Sequence, residues 1–248
     1  MSMLIIYTFM NIIALDPSLI STALVVCDGI NFKIFNYCRE SSVYGKKGMS
    51  KWFKMAEQFI EYKFIEYREY SDYSDGEIIK LNDYDKITDD IINTILDNIN
   101  PSEPTKIGIE GYSFSSTAGD IIDLVTFSTL LRKKLYDRVS EDITVLSPST
   151  LKLESCKLTY KPIEKKIGGK NPRIDYIYKN DWGISGGSFK KPDMFRSIID
   201  NNDLDDYWAT HCKQSKGDLL SVKIFPKPYE DCNDAYLIYK VLEKQKPN

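Results

Sequence analysis

The stretch from residue 11 to residue 37 constrains the fold more than any other part of this sequence. It contains three β-rich segments, 11–15, 19–27 and 31–37, separated by Pro17-Ser18 and Asp28-Gly29. Both separators are typical turn sequences, and neither leaves room for a helix between the segments. Consecutive strands joined by tight turns pair in an antiparallel manner. We therefore predict a sheet that begins with three antiparallel strands.

Helices and further strands alternate after these three strands. Five isoleucines between residues 87 and 99 recur at helical spacing, and Asn100-Pro101 is expected to end that helix. Such alternation is typical of an α/β fold with a mixed sheet. The other predicted elements are a helix over 50–62 followed by an ordered loop, a strand over 106–113, a helix over 118–138 with Ile121, Leu124, Val125, Ser128 and Leu131 on one face, a strand over 143–146 and a helix over 231–242.

The length and charge of the chain indicate one large domain with a local basic region. The 248 residues are 42% hydrophobic, so they can bury a substantial core, and we predict a single domain over 1–248. Residues 43–82 are rich in aromatic side chains and are predicted to be an insertion. Residues 152–191 carry ten basic and four acidic side chains, although the whole chain has a net charge of −3. Any surface for nucleic acid should therefore be local to this basic excursion.

Cysteine, histidine and hydropathy patterns exclude several classes of protein. The five cysteines are scattered without a C-x-x-C pair, which favours free thiols in a cytosol-like compartment. His211 is the only histidine, so neither a His-His metal site nor a Ser-His-Asp triad with a spare histidine is available, and we expect His211 itself to be incidental. The apolar start of the chain is too short to span a bilayer and lacks the basic residues of a signal peptide, so we expect no membrane association and no secretion.

Four acidic residues stand at positions where a carboxylate needs an explanation. Asp16 ends the first predicted strand before Pro17, Glu110 lies within an apolar strand, and Asp231 and Asp234 are three residues apart at the start of the last helix. A turn explains Asp16 and the helix dipole explains either helical acid, if each is taken alone. Taken together, they have the composition of a two-metal site for phosphoryl transfer, because clustered carboxylates repel one another without cations.

The order of the motifs resembles RuvC-type Holliday junction resolvases, particularly the phage and viral members. Two departures are Ser18, where the family usually has glycine, and Ser113, where bacterial members have an aromatic residue; Thr22 keeps a hydroxyl position on the second strand. The resemblance implies a ribonuclease H-like fold, a mixed α/β sheet flanked by helices. The matching segments, in chain order, are IIALDPSLISTALVV, IGIEGYSF, a long helix, VLSPSTLK, GGSFKKPDMF and DCNDAYLIYKV.

The resemblance also implies an activity, a cofactor and a partner. The family cleaves four-way DNA junctions as a homodimer, with two Mg²⁺ ions that Mn²⁺ can replace, and leaves paired nicks with 5′ phosphates. Its acids fall on Asp16, Glu110, Asp231 and Asp234, and its basic residues fall on Lys152 and Lys191. The helix over 118–138, with small residues at Ala118, Gly119, Ser128 and Thr129, is the expected dimer contact. The predicted DNA-binding residues are Lys152, Lys165, Lys166, Lys170, Lys190, Lys191, Tyr112 and Phe114.

Other functions remain open at this level. The same fold could belong to a less selective nuclease acting on flap, fork or other branched DNA. The acids could instead be structural in a catalytically silent DNA-binding module. An actin-like nucleotide-binding domain ranks last, because neither a duplicated half nor glycine-rich phosphate turns are found. A nuclease of this kind would act in the cytoplasm or at the nucleoid, or in the host cytoplasm if the protein is viral.

Overall fold

The computed structural model of the protein describes residues 9–45, 47–112, 118–159, 162–167, 173–178 and 189–245, although for 47–49, 118–120, 162–167 and 173–178 it describes the backbone only. Strands and helices alternate along the chain after an initial run of three strands. The elements are β1 (Asn11–Asp16), β2 (Ser21–Cys27), β3 (Phe32–Cys38), α1 (Glu40–Tyr44), α2 (Lys47–Ala56), β4 (Ile60–Phe64), α3 (Tyr73–Leu96), β5 (Thr105–Glu110), α4 (Ala118–Arg138), β6 (Ile143–Leu146), α5 (Pro148–Thr159), β7 (Pro162–Ile167), β8 (Arg173–Tyr178), α6 (Lys191–Ile199), α7 (Tyr207–Leu220) and α8 (Tyr229–Lys244).

A six-stranded mixed sheet forms the centre of the molecule. Its strand order is β4-β3-β2-β1-β5-β6. The first three strands pair in an antiparallel manner, whereas β5 and β6 extend the sheet in parallel beyond β1, and β4 pairs in parallel with β3. This confirms the predicted α/β fold, a mixed sheet of three antiparallel strands followed by parallel strands. Parallel pairing of β1 with β5 places the carboxyl ends of both strands at the same edge of the sheet.

The turn between β2 and β3 forms for a local reason. The side chain of Asp28 accepts hydrogen bonds from the backbone N–H groups of Ile30 and Asn31, at 2.9 and 2.6 Å. Gly29 has a φ of +88°, a left-handed conformation that favours glycine. The Asp-Gly pair in the sequence therefore predicts this turn correctly, and the turn sets the register of the antiparallel strands.

Helices cover both faces of the sheet, and the side chains of β1 alternate between the two faces. Ile12 and Ala14 belong to the core beneath α8 and α5–α7, whereas Ile13 and Leu15 belong to the core beneath α3 and α4. This alternation follows from the two-residue period of a strand. The isoleucines at 87, 91, 92 and 95 are buried on the second face, as the helical spacing predicts.

Three sequence predictions for individual elements are wrong. The helix predicted over 50–62 ends at Ala56, and Ile60–Phe64 forms the edge strand β4 within the aromatic-rich segment. The buried row of α4 includes the predicted Leu131 together with Phe127 and Leu135, whereas Ile121 and Leu124 of the predicted face are only partly buried. Ser128, expected at a dimer contact, is 2% exposed and faces the protein interior. The periodicity of 50–62 suits a helix, but pairing with β3 determines the structure of its second half.

The basic excursion contains regular structure. It includes α5, and its two strands β7 and β8 form an antiparallel hairpin separate from the central sheet. Helices α5, α6 and α7 were not predicted as separate elements, and they pack with α8 over one face. The five cysteines are free and buried, as expected. Among the described residues, no helix is both long enough and apolar enough to cross a bilayer.

Candidate active site

Two of the four predicted acids lie side by side at the carboxyl ends of β1 and β5. The register pairs Leu15 with Ile109, so Asp16 and Glu110 follow at adjacent positions. Side chains two residues apart on a strand point to the same face, so Asp16 lies on the same face as Ala14, and Glu110 on the same face as Gly108. Helix α8 covers this face of the sheet. Sheet register and strand period thus place the two carboxyl groups on the α8 side of the same edge.

The approach of α8 to the sheet brings the helical acids to this edge. A Cβ atom on Gly108 would lie 2.5 Å from Ile238 Cγ2 and 2.7 Å from Leu242 Cδ1, so glycine allows the helix to pack directly on β5. Asp234, Ile238 and Leu242 are spaced by four residues and therefore share one helix face. Because Ile238 and Leu242 lie over Gly108, Asp234 lies one turn further along, near Glu110.

Three of the acids form a compact group. One carboxylate oxygen from each of Asp16, Glu110 and Asp234 lies within 4.8 Å of the others, and we refer to these residues as the three-carboxylate group. Asp16 and Asp234 are 6% and 1% exposed. Asp231 is also buried, at 4% exposure, but it is not a member of the group. The sequence therefore predicted the convergence of these acids, while the structure separates Asp231 from the other three.

The environment raises the pKa of each member of the group. Burial raises the pKa of Asp16 well above its ordinary value, and the charge of Glu110 and a hydrogen bond with it raise that pKa further. Burial also raises the pKa of Glu110, although its hydrogen bond with Asp16 acts in the opposite direction. Burial is the largest cause that raises the pKa of Asp234 to about 7. Such crowding is costly without cations, because each ionised carboxylate destabilises the others.

Two lysines supply positive charge to the site. Lys191, the first residue of α6, forms a hydrogen-bonded ion pair with Asp234. Burial lowers the pKa of Lys191, but the carboxylates of Asp234, Asp16 and Glu110 outweigh burial, so the net shift is upward. Lys227 forms a similar pair with Asp231. Lys191 was predicted from the sequence, whereas Lys227 was not, although it stands only four residues before Asp231.

Buried polar contacts hold the first turns of α8 in place. Trp208 Nε1 donates a hydrogen bond of 3.0 Å to Asn233 Oδ1, between the two helical acids in sequence. His211 Nε2 lies 2.6 Å from the hydroxyl of Tyr229, and its ring stacks on Phe59 with centroids 4.0 Å apart. His211 therefore has a packing role beside α8, and burial lowers its pKa. These contacts restrict movement of the helix that carries Asp231 and Asp234.

The donor set fits hard divalent cations. All four candidate ligands are carboxylates, which suit Mg²⁺ or Mn²⁺ better than zinc. Asp231 Oδ2 is buried and has no hydrogen-bond partner among the described residues. Because the charge of Asp231 acts on Asp16 and Glu110, this oxygen is a further candidate ligand beside the three-carboxylate group. Burial, and to a lesser extent the neighbouring carboxylates, raise the pKa values of Asp16 and Asp234, and a bound cation would favour their ionised forms. The residues present therefore fit a divalent metal site.

Tyr112 lies just beyond Glu110 and packs against α4. Its hydroxyl is 3.2 Å from Thr129 Oγ1, and the guanidinium of Arg132 lies 4.3 Å from the centre of its ring. Arg132 also donates a hydrogen bond of 3.1 Å to the backbone carbonyl of Glu110. Tyr112 is partly exposed, so the prediction that it contacts DNA stays a prediction.

The other predicted DNA-binding residues are spread over different elements. Lys152 lies on α5, which begins directly after β6 at the same edge of the sheet, and it forms no ion pair with a described carboxylate. Lys190 is exposed at the start of α6. Lys165 and Lys166 lie on β7, of which only the backbone is described. Lys170 and Phe114 lie outside the described residues.

Comparisons with known proteins find a similarity in structure but none in sequence. No family model matches the chain, and no curated protein matches it. Among solved structures, RuvC of T. thermophilus in complex with a Holliday junction substrate is similar over 95% of this chain and 95% of that chain, with 7% sequence identity and a TM-score of 0.41. A similarity at this level does not assign an activity to the chain.

Proposed function

We propose that this protein is a divalent-metal-dependent endonuclease that cleaves four-way DNA junctions. The observation that carries the proposal is the convergence of Asp16, Glu110 and Asp234 from β1, β5 and α8 at one edge of the sheet. The ordered sequence motifs that resemble RuvC-type resolvases support the choice of substrate. The proposed cofactor is Mg²⁺, with Mn²⁺ able to replace it.

The proposed roles of the residues follow from their positions. Asp16, Glu110 and Asp234 hold the cation, and Asp231 provides a further oxygen ligand. Bound divalent ions would lower the pKa of a water and stabilise the negative charge that develops on a phosphodiester. Lys191 lies within the same cluster, where its ammonium group can balance charge on a bound phosphate. The products would be nicks with 5′ phosphates.

A homodimer suits a four-way junction, because paired nicks require two active sites related by a two-fold axis. Exposed side chains on α4 offer a contact for a second copy: Ile122 is 64% exposed and Tyr136 is 50% exposed. They lie fourteen residues apart, which places them on approximately the same helix face. We propose this face as the dimer contact in place of Ser128.

A protein that acts on DNA works in the compartment that contains its substrate. The proposed function therefore implies a location with the DNA of the cell or of the virus.

Cleavage of a labelled synthetic four-way junction tests the function. We expect paired nicks with Mg²⁺ and none with EDTA, and weaker cleavage of flap and linear duplex DNA. Asp16→Asn and Glu110→Gln should each reduce the cleavage rate by about 10³-fold or more, because they weaken the binding of ions that supply several kcal/mol of transition-state stabilisation. Binding of the junction should persist in both variants.

Asp142→Asn is the matched control, because Asp142 is an exposed acid in the turn before β6. It should cleave at the parent rate. Metal-independent cleavage, or parent activity in Asp16→Asn, would overturn the proposed site. Equal rates on junction, flap and duplex would keep the nuclease and replace the junction with a broader class of DNA. Binding without cleavage under all metal conditions would favour the silent DNA-binding module.

A further inference from the structure

Each helical acid of the site has its own lysine, but the two pairs differ in position. Asp234 pairs with Lys191 and also belongs to the three-carboxylate group. Asp231 pairs with Lys227 through Oδ1 and does not belong to that group. Lys227 therefore neutralises Asp231, whereas Asp16, Glu110 and Asp234 can form a cation site without Asp231.

The charges of the site set the number of cations it can hold without DNA. When ionised, Asp16, Glu110, Asp231 and Asp234 carry four negative charges, and the two lysines carry two positive charges. The remaining −2 equals the charge of one divalent ion. Glu230 lies 4.0 Å from Lys191, but its side chain is 27% exposed, so water screens part of its charge. A second divalent ion would give the buried site a net positive charge, which is unfavourable away from water.

Lys227 is held beside Asp231, where its positive charge disfavours the binding of a second divalent ion. It lies four residues before Asp231, and its side chain is 33% exposed, so most of its length is packed against the protein. A lysine side chain is charged at neutral pH, and the ion pair with Asp231 favours its charged form. Lys227 thus places a positive charge beside Asp231.

The free oxygen of Asp231 indicates what happens when DNA is present. Within the part of the chain that the structure describes, Oδ2 of this buried carboxylate has no hydrogen-bond partner, whereas Oδ1 accepts a hydrogen bond from Lys227. A phosphate group of DNA would add negative charge to the site and make a second cation favourable there. Asp231 Oδ2 is the carboxylate oxygen that is available to bind this second cation.

We infer that Lys227 is a built-in counter-ion of Asp231 that limits the DNA-free protein to one divalent ion, bound by Asp16, Glu110 and Asp234. The second ion binds at Asp231 only when substrate phosphate adds negative charge. This inference rests on the proposed metal-dependent function, and it makes Lys227 a positioning residue that acts through Asp231.

Titration of the DNA-free protein with Mn²⁺ tests the inference without any measurement of cleavage. Calorimetry and the electron paramagnetic resonance signal of free Mn²⁺ should give one bound ion for the parent protein. Lys227→Met should bind two, or bind the second at least about tenfold more tightly than the parent, because a positive charge beside Asp231 is removed. Lys227→Met/Asp231→Asn should return to one ion.

Lys223→Met is the matched control, because Lys223 is an exposed lysine in the same loop. It removes the same charge from the chain and should bind one ion. Circular dichroism in EDTA checks that each variant is folded, and Lys227→Gln repeats the test with a polar side chain. Two tightly bound ions in the parent, or one in both Lys227 variants, would overturn the role of Lys227. No binding to the parent at all would instead contradict the proposed metal site.

Discussion

Helices α3 and α8 cover opposite faces of the same sheet, but they are built differently. Of its 24 residues, α3 buries nine, mainly along one row that includes Ile87, Ile91 and Ile95. Of its 16 residues, α8 buries thirteen, and these include Asp231, Asn233 and Asp234. One helix therefore covers the sheet from outside, and the other is enclosed by protein around most of its circumference.

The difference shows how the fold separates stability from chemistry. Most of the side chains that α3 buries are apolar, and its buried polar residues Asp83, Thr88 and Thr94 all have hydrogen-bond partners within the protein. This helix therefore stabilises the fold at little cost. Burial of carboxylates at the start of α8 is unfavourable unless charges of opposite sign compensate them. In return, the enclosed helix keeps those carboxylates at fixed positions above β1 and β5.

Alanine substitutions in the two helices test the comparison most strongly. Ile91→Ala on α3 and Ile238→Ala on α8 should each lower the free energy of unfolding by about 2–5 kcal/mol, because both isoleucines are fully buried. Urea unfolding measures this loss. Only Ile238→Ala should also lower the cleavage rate per folded molecule, since Ile238 lies beneath the turn that carries Asp234. An equal loss of cleavage in Ile91→Ala would remove the distinction between the helices.

The pH dependence of stability should report the acids of α8. The pKa of Asp234 rises from an ordinary 3.8 to about 7, so between these values the folded state keeps a proton that the unfolded state has released. Stability in EDTA should therefore fall from pH 5 to pH 7, by up to about 1.4 kcal/mol per pH unit. The raised pKa values of Asp16 and Glu110 act in the same direction.

Unfolding curves in EDTA between pH 5 and pH 8 measure this effect. Asp234→Asn should show a weaker pH dependence, and Mg²⁺ should stabilise the parent most at the upper end of the range, where the carboxylates are ionised. Acids with a lowered pKa, such as Asp28 and Asp89, lose their stabilising effect only as the pH falls through their folded pKa, below 3.8. Stability that rises steadily from pH 5 to pH 8 in EDTA would contradict this account of the site.

The contact of α8 with β5 at Gly108 gives a smaller effect. Gly108→Ala should destabilise the protein by about 1–3 kcal/mol and lower cleavage, because the added methyl group overlaps Ile238 and Leu242. Gly217→Ala in α7 is the control, since nothing lies within 4 Å of a Cβ at that position. It should stabilise the protein by about 0.5–1 kcal/mol. Thermal unfolding of both variants checks the opposite signs, and two losses of similar size would refute the argument.

The smallest effect is expected at the hydrogen bond that supports the start of α8. Trp208→Phe keeps most of the ring packing but removes the donor to Asn233 Oδ1. It should lower the free energy of unfolding by about 0.5–1.5 kcal/mol, with a modest loss of cleavage. Trp52→Phe is a control on the same face, because it changes the same residue type in α2. Urea unfolding and junction cleavage of the two variants measure the difference, and equal losses of cleavage would argue against a positioning role for Trp208.

Patterns with a short period could be predicted from the sequence. The two-residue period of strands and the 3.6-residue period of helices are local properties, so the antiparallel start, the isoleucine row of α3 and the final helix were predictable. The positions of Asp16, Glu110, Asp231 and Asp234 in the predicted strands and at the start of the last helix indicated all four as candidate site residues. Edge strand β4 was not predictable, because residues 60–64 become a strand only through pairing with β3. Tertiary contacts override local preference in such segments.

The sequence by itself determined which carboxylates are present and at which ends of their strands and helix they stand. Only the tertiary structure decided that three of them converge, that Asp234 pairs with Lys191 and that Ser128 turns inward. The physical reason is that an ion pair or a shared carboxylate site depends on distances of a few ångströms between distant parts of the chain. Those distances are set by how closely α8 packs on the sheet at Gly108.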